Sequence, residues 1–99
     1  MVVDDKLLDT LDQNLETLTG YDFEEIERTE RMLGNNYSEI GTTKTFQARL
    51  AARALDVPCP EVQSLSIKDY ARITAKVFSF LYVGSAKDII RKNKSEMSQ

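Results

Sequence analysis

The chain has 99 residues, 41% of them hydrophobic and 29% charged, which fits one domain with one modest core. It contains no His and a single Cys, excluding His-based catalysis, His-metal sites, an internal disulfide and a CxxC pair. The net charge of −3 speaks against nucleic acid as a partner, because such domains are usually basic.

The opening Met1-Val2-Val3-Asp4-Asp5 is acidic where a secretory leader is basic, so an intracellular location is expected. Leu8, Leu11, Leu15 and Leu18 then follow at helical steps of 3, 4 and 3. Thr, Asp and Asn in the same stretch lower helix propensity, so a short extended N-terminal segment is the alternative. Thr19-Gly20-Tyr21 reads as a turn. Asp22 reads as an N-cap answered by Glu25, opening a helix over about Phe23–Leu33. Phe23, Ile26, Met32 and Leu33 form its sparse apolar set. Glu24, Glu25, Glu27 and Glu30 read as its solvated face. Gly34-Asn35-Asn36 closes it, since Gly and Asn tolerate left-handed backbone.

Residues 35–42 read as a polar loop. A helix over about Thr43–Leu55 follows, with Phe46, Leu50, Ala54 and Val57 as its buried stripe. Ala48, Ala51 and Ala52 permit close approach of a neighbour. Pro58-Cys59-Pro60 breaks it, and Pro60 can open a single turn reaching Leu65. Ser66, with Asp69 as its capping partner, starts the clearest helix. Ile67, Tyr70, Ile73 or Thr74, Val77 and Leu81 mark its stripe. From Val77 to Val83 apolar residues cover nearly the whole circumference: Val77, Phe78, Phe80, Leu81, Tyr82 and Val83. Such an end is either core or a partner face. Ser85 and Asp88 repeat the cap pattern for a short last helix over about Ala86–Lys92 carrying Ile89 and Ile90. The expectation is one mainly α domain over residues 1–92, a bundle of three to four helices, with residues 93–99 a frayed tail. No apolar run approaches the ~20 residues of a membrane span.

The charge is polarised. Residues 1–41 hold eleven Asp/Glu against three Lys/Arg, a net of −8, and residues 42–99 hold five against ten, a net of +5. The halves either pair internally or present each sign to a partner. Complementary ends also allow head-to-tail self-association.

No enzyme site is legible. The carboxylates have the spacing of a solvated helix face, the acidic opening lacks the pattern of a Ca²⁺ loop, and Cys59 has no base partner. Neither catalytic residues, a metal nor a cofactor is expected. A basic stripe exists: Lys68, Arg72 and Lys76 on one helix, Arg49 and Arg53 on another, and Lys87, Arg91, Lys92 and Lys94 beyond. The alternative it supports is a small helical DNA-binding regulator. Against this stand the long, proline-rich connection from Val57 to Ser66 and the scarcity of base-reading side chains in the first turn of the would-be recognition helix.

Three segments in order carry a resemblance. They are Leu15-Glu16-Thr17-Leu18-Thr19-Gly20-Tyr21-Asp22, an Ala-rich helix from Phe46 to Val57-Pro58, and Leu65-Ser66-Ile67-Lys68-Asp69-Tyr70 running into Val77-Phe78-Ser79-Phe80-Leu81. Together, over Leu15 to Tyr82, the chain resembles the tail assembly chaperones of long-tailed bacteriophages and their prophages. Met1 to Asp12 has no counterpart in the match. The resemblance implies a small, helical, non-enzymatic protein of the bacterial host cytoplasm, absent from the mature virion. It implies the tape measure protein as client, kept soluble, and the tail tube protein as a recruited partner. The family has no catalytic residues to carry over. A hydrophobic helical client calls for apolar grooves between amphipathic helices. Val77, Phe78, Phe80, Leu81, Tyr82, Ile89 and Ile90 are the candidate partner-binding residues.

Overall fold

The computed structural model describes residues 1–83. They form five α-helices: α1 (Asp5–Leu15), α2 (Gly20–Met32), α3 (Lys44–Leu55), α4 (Cys59–Gln63) and α5 (Ile67–Phe78). A 3-10 turn spans Ile40–Thr42 and a π-helical turn spans Ser79–Val83. The mainly helical class is observed, with no strand among the described residues. The expected last helix over 86–92 and the tail, with Ile89 and Ile90, lie outside the described residues.

The opening stretch is a helix, not an extended segment. Asp4 caps it by accepting from the Leu7 amide at 2.9 Å, which satisfies a free donor of the first turn. Leu11 and Leu15 bury completely or nearly so. That packing outweighs the weak local propensity.

The start of α2 corrects the expected cap. Thr19, not Asp22, is the N-cap, and the Asp22 carboxylate accepts from the Thr19 amide at 2.8 Å. The helix therefore begins at Gly20, three residues early. Its inward stripe is Phe23, Ile26 and Glu30, at steps of 3 and 4. Met32 and Leu33, expected on that stripe, are 82% and 68% exposed.

α3 is the hub, touching α1, α2, α4 and α5. Phe46, Ala48, Leu50, Ala51 and Ala52 are all buried, because three alanines let neighbouring backbones approach on more than one side. Phe46 packs on Phe23 with ring centroids 4.7 Å apart and planes tilted by 53°, a favoured aromatic geometry. Asp56, in left-handed conformation at φ 56°, ends α3. The expected proline break then folds into α4, which buries Val62.

Ser66 caps α5 as expected, accepting from the Asp69 amide at 3.2 Å. Ile73, Thr74 and Val77 face the core. Ile67 departs from the expected stripe: it stands at the first helical position and is exposed. The 35–42 loop is less polar in role than in composition, since Ile40 and Gly41 are buried.

Candidate partner-binding site

The apolar end of α5 divides in two. Val77 is fully buried, so it belongs to the core and leaves the candidate site. After Phe78 the helix widens into the π turn, a form that recurs at functional sites. Phe80 and Leu81 stay half-buried against the core. Phe78 and Tyr82 pack on each other at the surface in a tilted arrangement, centroids 5.3 Å apart, with 39% and 50% of their area exposed.

Phe80 and Leu81 form one wall of an open groove of about 280 Å³. Leu15 and Leu18 from the end of α1, Thr19, Gly20 and Phe23 from the start of α2, and Leu50 of α3 complete it. A Cβ added at Gly20 would meet nothing within 4 Å, so the mouth is open there. An apolar cavity of about 150 Å³ accommodates benzene, so this groove has room for one or two aliphatic side chains. Reading the sequence by helix stripes missed the α1–α2 wall. The usable signal was the small pair Thr19-Gly20 set between Leu18 and Phe23, which leaves a gap between two apolar helix ends.

A contact fixes the π turn in place. The Tyr82 ring and hydroxyl lie over Gly41, where a side chain would collide with the hydroxyl end of Tyr82. Gly41 also offers its carbonyl to Gln47 Nε2 at 3.1 Å. The wall that ends the groove is thereby anchored to the 3-10 turn and to α3.

The polarised charges meet inside the fold. Glu30, expected on a solvated face, is buried at 2% exposure. It accepts from Arg49 Nε and Thr45 Oγ1 at 2.8 Å each and from Asn35 Nδ2 at 2.9 Å. Burial pushes this carboxyl upward, but those three donors outweigh it and hold it below its ordinary 4.5. Arg53 bridges Asp22 and Glu25, each at 2.8 Å. The Thr19 amide and Arg53 hold Asp22 below its usual range, and Arg53 does the same for Glu25. Between α1 and α5 Arg72 approaches Asp5 at 3.5 Å and Lys76 approaches Asp12 at 4.0 Å.

Arg49, Arg53, Arg72 and Lys76, four of the expected basic residues, therefore face carboxylates of the same chain; Lys68 is exposed, and Lys87, Arg91, Lys92 and Lys94 lie outside the described residues. Burial raises the Cys59 thiol above 9.0, with Arg49 pulling the other way, so the sulfur stays protonated and weakly nucleophilic near neutrality. Among the described residues no cluster of His, Cys, Asp or Glu is arranged to hold a metal ion. Among them, too, no helix is long and apolar enough to cross a membrane. No family model, curated protein or solved structure matches the chain.

Proposed function

We propose that this protein is a phage tail assembly chaperone: a non-enzymatic holder that binds the tape measure protein, keeps it soluble and helps recruit tail tube subunits. The open apolar groove between the α1–α2 corner and Phe80 and Leu81 is the observation that carries this reading, taken with the sequence resemblance. A groove between helices with room for aliphatic anchors suits an amphipathic helical client. Phe78 and Tyr82 extend the apolar surface beside it.

Co-expression with a cognate tape measure protein tests the reading. The wild-type chain is expected to raise the soluble fraction of the client. Phe80→Gln together with Gly20→Trp, which blocks the mouth, is expected to abolish that effect while circular dichroism stays helical. A client equally soluble with and without this chain would sink the proposal. The DNA-binding alternative has no comparable observation in its favour.

A further inference from the structure

The groove lies where the described chain hands over to residues 84–99. Its partly buried walls are Leu18, Phe23, Phe80 and Leu81, and Leu81 stands only two residues before Val83. Ring carbons of Tyr82 and Phe23 lie 3.2 and 3.5 Å from where a Cβ at Gly41 would stand, so the chain leaves along the groove's own flank. Residues 84–99 lie outside the described part, but their sequence suits the groove. Ala86, Ile89 and Ile90 stand at i, i+3 and i+4, one face at helical spacing, and the groove of about 280 Å³ takes one or two aliphatic side chains. Four Lys/Arg against two Asp/Glu give this segment a net of +2. Residues 1–83 carry fourteen Asp/Glu against nine Lys/Arg, a net of −5.

We propose that residues 84–99 fold back over the groove, that Ile89 and Ile90 fill it, and that any client must displace them. Five residues, 84–88, separate Val83 from Ile89; extended, that link spans up to about 20 Å, enough to return to a wall the chain has just left. Gly84, without a Cβ, permits the reversal this requires. The tether is what favours this occupant over a separate protein. A short flexible link gives an effective concentration on the order of millimolar, so an untethered helix at micromolar concentration must bind about a thousandfold more tightly to match it. Opposite net charges favour the same docking. The candidates Ile89 and Ile90 thus become the groove's resident ligand and a stand-in for the client. Occupancy rests on the groove and the segment alone; its role as a brake on client binding rests on the chaperone reading.

A fluorescent synthetic peptide of residues 84–99, added to the full chain and read by anisotropy, tests the proposal. It is expected to bind the Ile89→Asp/Ile90→Asp chain at least tenfold more tightly than the wild-type chain, whose groove its own segment occupies. Adding Gly20→Trp to that variant is expected to abolish the binding. A second arm asks for proximity directly. In a Cys59→Ser background, Gly20→Cys at the groove mouth is paired with Asn93→Cys, which shares the helical face of Ile89 and Ile90. Mild oxidation is expected to give a monomer closed by an internal disulfide, forming at least tenfold more slowly when Ile89→Asp/Ile90→Asp is added.

Equal affinity of the peptide for both chains, or no binding to the variant, overturns the proposal. So does binding that survives Gly20→Trp. Disulfides that link only two copies overturn it as well, by assigning the groove to a second chain, and so does an internal link that forms equally fast without the two isoleucines. No client enters either arm. If both arms succeed while the co-expression experiment fails, the groove keeps its resident segment and the chaperone reading falls; the reverse result removes the segment and leaves that reading standing.

Discussion

Two seams join the acidic first half of the chain to its basic second half, and they are built differently. Between α2 and α3 the carboxylate of Glu30 is buried and accepts three short hydrogen bonds. Between α1 and α5 the pairs are long, at 3.5 and 4.0 Å, and Asp5 is fully exposed. One sequence signal, opposite charges on two helices, thus yields a structural polar core in one place and a solvated fringe in the other. Burial decides which, because water screens the fringe and desolvation punishes any unpaired charge in the core.

The sharpest way to break the contrast is Glu30→Ala. It leaves Arg49, Thr45 and Asn35 without their shared acceptor, with an expected loss of about 3 kcal/mol in urea unfolding. Next comes Gly41→Ala, whose methyl group meets the hydroxyl end of Tyr82; that half-exposed ring can swing aside, so the expected cost is about 1 kcal/mol, the low end for overpacking. Arg72→Ala removes a 2.7 Å bond to the Val3 carbonyl as well as the loose pair with Asp5, for about 1 kcal/mol. Lys76→Ala is expected to stay within about 0.5 kcal/mol. A Lys76 variant as damaging as the Glu30 variant would erase the distinction between the seams.

Acid sharpens the same comparison. Glu30 has a folded-state pKa below its unfolded 4.5, so its contribution is present above that value and is lost as pH falls through the folded value. Glu30→Gln is therefore expected to flatten the acid limb of the stability curve measured by thermal unfolding. Salt is expected to separate the seams too. At about 1 M, where the screening length is roughly 3 Å, the cost of Lys76→Ala vanishes and that of Glu30→Ala persists.

The helices were largely readable from local chemistry. Ser66 with Asp69, the Gly34 stop and the proline break each act within a few residues, and each falls where it was read. The α2 cap was misplaced because Asp22 can serve as cap or as the third-residue partner of Thr19, and spacing alone does not choose. Glu30 was misread for a related reason. A carboxylate on an inward stripe looks solvated until Arg49, Thr45 and Asn35 are brought around it by tertiary folding. At the site, Phe80 and Leu81 were legible as an apolar excess. Their partners Leu15, Leu18 and Leu50 were not, since a groove is a relation between helices.

The bond from Arg72 to the Val3 carbonyl bears on how the chain is made. Val3 is buried, and the side chain that secures its backbone lies 69 residues later. α1 also packs on α3 and α5, so its apolar face has no cover until most of the domain has left the ribosome. Synthesis proceeds at about 5–20 residues per second, which leaves those leucines uncovered for several seconds in every round of translation. For a protein proposed to shelter the apolar helices of another, the first such helix needing shelter is its own.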